Sequence, residues 1–559
     1  MTVVAGRSRI ATTLGIVAAS QPLAARAGVQ ILERGGNASD AAIAANAVLG
    51  VVEPEMNGIG GDLFAIVHEA KTNRTHGLNA SGWAPSGLTP ALLRSRGLTS
   101  MPSTGVYAVT VPGCVAGWEA LQSRFGTLRM ADVLAPAVFY AEEGFPVSDI
   151  IAARWDAYAD MLAADAGASA TFLVDGRAPR AGELFANPSL ARSLRTIAAD
   201  GARAFYAGPI ADAIVETLRA HGGTMTSADL AEFRAEWVAP VSTTYQGWQV
   251  FELPPNTQGI AALLMLDIME QFPLREYGLH SARALHVMIE AKKLAYADML
   301  RYAADPRFAE APLAALIDKE YARSRAALID PARAAASVEP SVFEGITTSH
   351  GSDPSTSSGS PRAMSRGETI YLSAIDRDGN VVSLIQSTYH GFGSGICPAR
   401  LGFMLQNRGA LFTLDTDHPN VLAPRKRPLH TIIPGFMQKD GVRIGFGIMG
   451  AWNQAQAHAQ FVANVVDFDL DIQHALEAGR FTKPTFDGAD VLLEQLIPDQ
   501  TRAELASLGH LVTVVPPRTG MFGSGQAVMS DATGVHYGAS EPRHDGAAIP
   551  EAPAFRSLG

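Results

Sequence analysis

The sequence holds two cysteines in 559 residues, Cys114 and Cys397. Two thiols cannot staple a disulfide scaffold or supply a cysteine-rich metal centre. Such sparse use fits a reducing compartment, and the cytoplasm is the expected location. Long apolar runs are missing too, and none approaches the ~18 residues of a membrane-spanning helix. Arg7 and Arg9 precede a short apolar stretch, Ile10 to Ala19, that mimics a secretory leader. It contains two threonines and a glycine and runs straight into helix-like sequence, so we expect it to belong to the folded part. Positive charge is scarce. Lys and Arg number 44 against 55 Asp and Glu, a formal net charge of −11. That balance argues against nucleic acid or an anionic membrane as a partner. The 14 histidines show no His-Glu-x-x-His or paired ligand spacing. No G-x-S-x-G elbow marks a serine nucleophile. No period of 20–50 residues marks a solenoid. Neither metal nor cofactor is expected.

What is present reads as an ordinary globular chain, 47% apolar and 18% charged. At about 150 residues per domain the length suggests three to four units, although one large α/β core is equally compatible. Gln21–Glu33 has helical spacing and stops at Gly35-Gly36. Asn37 then offers an N-cap for the Ala-rich stretch Ala41–Val52, whose small residues all round predict a buried helix. Gly58-Ile-Gly-Gly61-Asp62 lies between helix and strand. A dinucleotide loop needs strand, glycines and helix in that order, so a tight turn is expected here. Residues 80–345 are mostly helical in pattern. A long helix is expected over Ala284–Tyr302, with Glu290, Lys292, Lys293 and Asp298 forming a solvated face of local ion pairs.

Composition changes abruptly near Thr347. Residues 349–367 are rich in Ser, Gly and Pro, a flexible linker by composition. Immediately after it, Thr369–Ile375 alternates like a strand, Asp376–Asn380 is a turn and Val381–Ser387 is a second strand, together a hairpin. A plain interdomain linker accounts for this pattern. So does a processing site. Cutting between Glu368 and Thr369 would leave a threonine whose own α-amine can act as general base for its hydroxyl.

These residues carry a resemblance along nearly the whole chain. Leu32-Glu-Arg-Gly-Gly-Asn37-Ala-Ser-Asp-Ala-Ala42, Val51-Val-Glu-Pro54, Gly58-Ile-Gly-Gly-Asp62 and Val111-Pro-Gly-Cys-Val-Ala-Gly-Trp118 come first. Phe205-Tyr-Ala-Gly208, Glu290-Ala-Lys-Lys-Leu-Ala-Tyr-Ala-Asp298, Thr369-x-x-x-Ser373, Asp378-Gly-Asn380, Arg427-Pro428 and Gly538-Ala-Ser-Glu-Pro-Arg543 follow in order. The chain resembles the γ-glutamyltranspeptidase family of the N-terminal-nucleophile hydrolase superfamily. The resemblance implies an α/β fold, a four-layer α-β-β-α sandwich. It implies a precursor cut before Thr369 into a large chain, 1–368, and a small chain, 369–559, that form one compact unit, with 350–367 as the tail of the large chain. It also implies roles. Thr369 matches the nucleophile, and Ser387 the hydroxyl residue that bonds it near its amine. Gly450-Ala451 matches a Gly-Gly pair whose N–H groups form an oxyanion hole. Alanine keeps the N–H but resists positive φ.

The substrate side departs from the family pattern. Ser81 stands where a carboxylate-binding Arg is expected, Tyr389 where an Asn is expected, and Arg408 and Leu411 where a Gln and an Asp hold the α-amine. His430-Thr431 replaces paired serines. Gln406-Asn-Arg-Gly409 and Arg425–Thr431 resemble a branch that includes oxamate amidohydrolase. Arg408 is a forked cation suited to a substrate carboxylate, unless it pairs with Asp415 or Asp417. Tyr389, His430 and Thr431 complete the expected substrate site, where His430 bonds substrate or supports its loop, and Tyr389 closes the pocket or packs. The expected activity is hydrolysis of a small carboxylate-bearing amide through an acyl-Thr369 intermediate. Glutathione hydrolysis or γ-glutamyl transfer, acylase activity on glutaryl or cephalosporin-type amides, and an unprocessed non-catalytic protein remain open. The expected partners are a small-molecule amide and the chain's own two fragments. A homodimer of processed units is left open.

Overall fold

The computed structural model describes residues 7–343 and 368–553, so the linker expected over 350–367 lies outside the described residues. Two seven-stranded antiparallel sheets organise the chain. One runs β1 (Ile10–Thr12), β18 (His536–Ser540), β17 (Gly525–Ser530), β13 (Val442–Ile448), β12 (Gly435–Lys439), β9 (Trp248–Glu252) and β8 (Val241–Tyr245). The other runs β19 (Ala547–Pro550), β2 (Ile16–Ala19), β10 (Glu368–Ile375), β11 (Val381–Tyr389), β3 (Asp62–Glu69), β4 (Arg74–Ala80) and β7 (Glu236–Val238). Two smaller sheets hold β14 (Phe481–Thr482), β15 (Asp490–Glu494) and β16 (Leu511–Val515), and β5 (Phe145–Pro146) with β6 (Leu184–Phe185). The leader-like stretch near the N-terminus thus contains β2, a buried strand beside β10.

Strand periodicity divides the core. On β10, Ile370, Leu372 and Ala374 join a cluster with helix residues such as Ala42 and Val48. Tyr371 and Ile375, pointing the other way, join Phe64 of their own sheet with Phe436 and Val528 of the second sheet. A third cluster packs helices Gly259–Met269, Ala282–Tyr302 and Gln454–Val466 against Ile444 and Phe446 of β13. Among the described residues no helix is long and apolar enough to cross a membrane.

Local chemistry explains the elements around β10. Helix α1 (Pro22–Glu33) starts with proline in its first turn, where the missing N–H costs nothing. Helix α2 (Ala38–Val52) opens with a capping box. Asn37 accepts from the Ser39 and Asp40 N–H groups at 2.9 and 3.1 Å, and Asp40 accepts from the Asn37 N–H at 3.1 Å. Residues 58–61 close a turn, with the Gly61 N–H donating to the Gly58 carbonyl at 2.9 Å. A Cβ on Gly61 would stand 2.4 Å from the Ser387 carbonyl oxygen, so this approach needs glycine.

One expectation is corrected. The helix Ala282–Tyr302 forms, but Glu290, Lys292, Lys293 and Asp298 are buried rather than solvated. Each charge has a specific polar partner. Lys293 donates to Glu290 at 2.7 Å and to the Ala335 carbonyl at 2.7 Å. Lys292 donates to the Thr485 carbonyl at 2.6 Å. Asp298 pairs with Arg325 at 3.1 Å and accepts from Tyr321 at 2.5 Å. Buried charges are tolerated when paired this way.

Candidate active site

Glu368 and Thr369 open β10 and are nearly fully buried. The β10–β11 pairing is irregular at this point. Glu368 stands opposite Tyr389 and Ile370 opposite Gln386, so Ser387 and Thr388 together face Thr369. Such a bulge twists a strand and re-aims its side chains. It ends at Tyr389, which holds φ +83, the left-handed region.

Ser387 is the hub. Its Oγ donates to the Glu368 carbonyl oxygen at 2.8 Å and accepts from the Tyr389 N–H at 2.7 Å and from Arg408 Nη2 at 3.0 Å. Arg408 also donates through Nη1 to Thr431 Oγ1 at 2.8 Å. Its guanidinium lies 4.5 Å from the Tyr389 ring centroid, a cation–π distance. The structure therefore brings Glu368, Ser387, Tyr389, Arg408 and Thr431 into direct contact. Ser387 bonds the peptide carbonyl before Thr369, a contact that the sequence places at the threonine amine.

Arg408 is fully buried. Among the described residues no carboxylate oxygen lies within 4.0 Å of it, and its Nε has no hydrogen-bond partner. Neither Asp415 nor Asp417 pairs with it. The acid whose field it feels is Asp62, and burial lowers the guanidinium to about 10, where it stays charged at neutral pH. Asp62 sits opposite Ser387 on β3. It accepts from the Gly82 N–H at 2.8 Å, Gln406 Nε2 at 2.8 Å and His430 Nε2 at 3.0 Å. Burial pushes the Asp62 carboxyl up to about 7, against the Arg408 charge and those bonds. His430 is buried with its ring edge-on to Phe64, and burial with the Arg408 charge holds it neutral. Its Nε2 is committed to Asp62.

Gly450 and Ala451 follow β13, with φ +133 and +50. Alanine thus adopts the left-handed conformation that its Cβ resists, at a cost of about 1–2 kcal/mol. Gln258 ties this corner to the hub, its Nε2 donating to the Ala451 carbonyl at 2.8 Å and to the Thr431 carbonyl. Ser81, where the family pattern expects an arginine, donates instead to Asn79 at 2.7 Å. Leu411 is buried and apolar.

Several residues given no role by the sequence adjoin the site. Tyr158 donates to the Glu368 carboxylate at 3.2 Å. Glu53 accepts from Ser20 at 2.8 Å, and both carboxyl oxygens of Glu55 lack a hydrogen-bond partner. Burial pushes Glu53 up to about 8 and raises Glu55 as well, with the Glu368 charge adding to both. Asp62 ends the quoted glycine motif, the one signal that marked it. Gln258 is distant in sequence from everything it bonds here. Elsewhere His286, Glu290 and His510 form the one group of three potential metal ligands among the described residues. Lys293 occupies Glu290 at 2.7 Å and the two imidazoles are bonded at 2.8 Å, a closed hydrogen-bond network.

The comparisons agree along the chain. The gamma-glutamyltranspeptidase family model matches residues 24–551. The glutathione hydrolase-like YwrD proenzyme of Bacillus subtilis (strain 168) is 37% identical over 544 residues, 96% of this chain and 98% of that protein. The oxamate amidohydrolase proenzyme of Klebsiella pneumoniae is 34% identical over 547 residues, 96% of this chain and 98% of that protein. The crystal structure of cephalosporin acylase from Bacillus halodurans superposes with a TM-score of 0.89 at 40% identity, covering 98% of both chains.

Proposed function

The chain belongs to the γ-glutamyltranspeptidase family, and on that premise we propose that it is a self-processing amidohydrolase for a small amide bearing a carboxylate, oxamate-like in form. In this reading the two sheets and their helices are the four-layer α-β-β-α sandwich. The cut falls between Glu368 and Thr369, giving chains 1–368 and 369–559. The freed Thr369 hydroxyl attacks the amide carbon and its α-amine takes the proton. The N–H groups of Gly450 and Ala451 hold the oxyanion. The amine leaves, and water releases the acid.

The observation that carries the substrate class is Arg408. Among the described residues this buried guanidinium has no carboxylate within ion-pair distance and its Nε–H has no acceptor, which suits it to an anionic group of the substrate. A charge-assisted contact there suits a carboxylate and repels an ammonium group. Leu411 offers no acid for a γ-glutamyl α-amine. An acyl amide of the glutaryl kind is the second reading, favoured by the likeness to the B. halodurans acylase. The experiment compares kcat/KM for oxamate, a succinamate-type amide, a glutaryl amide and glutathione, on wild type and on Arg408→Gln. Amides with a carboxylate and no α-amine should lead, and Arg408→Gln should lower them by about 10–100-fold. Glutathione leading on wild type, with no loss in the variant, would overturn this choice.

A further inference from the structure

The bonds around Ser387 have only one consistent direction. The Tyr389 N–H and the Arg408 guanidinium are both donors and have no acceptor to offer. The single Ser387 proton therefore goes to its third neighbour, the Glu368 carbonyl oxygen, at 2.8 Å. A run of donors thus leads from Arg408 through Ser387 to the carbonyl of the peptide bond that precedes Thr369. The hydroxyl accepts from a cation on one side, which makes it a stronger donor on the other. It is also held in place, because the bulge at Thr369 brings Ser387 across from the start of β10.

We propose that Arg408 is a positioning residue for the self-cleavage of this chain, acting through Ser387 to polarise the Glu368 carbonyl. This rests on the reading of Thr369 as nucleophile and is independent of the substrate. The Thr369 Oγ forms a bond to the Glu368 carbonyl carbon, and the carbonyl oxygen gains the negative charge. Ser387 donates to that oxygen, with Arg408 at its back. The C–N bond then breaks, the hydroxyl proton passes to the departing Thr369 nitrogen, and an ester links the two residues. Water hydrolyses the ester, leaving the Glu368 α-carboxylate and a Thr369 with free hydroxyl and amine. No oxidant or metal enters the balance.

The placement of Arg408 favours this over plain packing. A buried arginine with no ion pair among the described residues is costly, and here the cost is borne where a carbonyl must become an oxyanion. Thr431 and the Tyr389 ring fix the guanidinium so that Nη2 faces Ser387. The cut leaves the Arg408 bonds to Ser387 and Thr431 intact, so the same guanidinium stays fixed for a substrate carboxylate.

The test follows the cut in full-length precursor, without substrate, on denaturing gels, with N-terminal sequencing of the small fragment. Arg408→Gln should slow the cut about 10–100-fold, less than the ~10²–10³-fold of a direct oxyanion donor because Ser387 itself remains. Arg408→Lys should recover part of the rate, since it restores charge without the fork. Arg408→Ala, refolded with sub-denaturing methylguanidinium, should cut at least fivefold faster than in sodium chloride of equal ionic strength. A merely structural arginine gives no such selective rescue. Arg408→Gln cutting at the wild-type rate would overturn the proposal, as would Arg408→Ala that methylguanidinium leaves uncut. If Arg408 serves the substrate alone, the Gln variant matures normally and loses only kcat/KM. If Thr369 is not the nucleophile, the wild-type fragment does not begin with Thr-Ile-Tyr-Leu.

Discussion

Replacing Ser387 by alanine removes three hydrogen bonds at once, and their partners set the size of the effect. The Tyr389 N–H and an Arg408 N–H lose their acceptor in a site with almost no solvent. Each unmet buried donor costs about 1–3 kcal/mol, so Ser387→Ala should cost about 2–6 kcal/mol of stability. The two stranded donors thus add a loss of stability to the loss of turnover. For the chemistry, the Glu368 carbonyl loses its donor, which should slow the cut about 10²–10³-fold. Turnover per mole of matured enzyme should fall about 10²–10⁴-fold, the range for a group that orients nucleophile and base. Ser387→Thr keeps the hydroxyl and separates the two effects. The assay pairs a gel time course with thermal unfolding of the same sample, and normalises turnover to the fragment that begins at Thr369. A Ser387→Ala protein with lowered stability but wild-type cutting and turnover would refute the reasoning, because packing loss alone would then account for it.

Thr369→Ala should remain a single chain of about the precursor mass on a denaturing gel, since the hydroxyl supplies the attacking oxygen. A fragment still beginning at residue 369 in that variant would exclude self-cleavage by this residue. Glu53→Gln addresses pH. Burial raises Glu53 from the usual 4.5 to about 8, so the folded form binds the proton more tightly than the unfolded form. Stability should therefore fall as pH rises from about 4.5 to 8, by up to ~5 kcal/mol from this group. Glutamine keeps the acceptor for Ser20 and removes that slope. Unfolding temperature against pH is the measurement, and parallel curves for variant and wild type would contradict the buried-acid account.

Legibility in the sequence followed the range of the interactions. The hairpin at Thr369 was readable because alternation and the Asp376–Asn380 turn are local, and the observed register joins Ile375 to Val381 as that turn requires. The helix Ala282–Tyr302 was readable in extent from its spacing. Its burial was not, because Asp298 finds Arg325 and the Ser341 N–H on later segments. Nearest-neighbour charge patterns carry no trace of such pairs. The same limit hid the surroundings of Arg408. Asp415 and Asp417 are near in sequence, but β3 places Asp62 opposite Ser387, and no periodicity in either segment announces that pairing. Alanine resists positive φ, yet Ala451 adopts φ +50. A single residue's preference of about 1–2 kcal/mol yields to a loop held by its neighbours.

The strand order has a consequence for the fate of the protein once cut. With the cut proposed between Glu368 and Thr369, β2 of the first piece lies between β19 and β10 of the second, and β11 of the second lies against β3 of the first. The other sheet likewise inserts β17, β18, β13 and β12 of the second piece between β1 and β9 of the first. Neither piece can leave without tearing both sheets down the middle. Severing one peptide bond therefore turns a single folding molecule into two interleaved ones, whose reassembly after denaturation becomes second order in concentration. Maturation in this architecture is a one-way passage, and the endurance of the mature protein is set by how slowly it opens rather than by how readily it refolds.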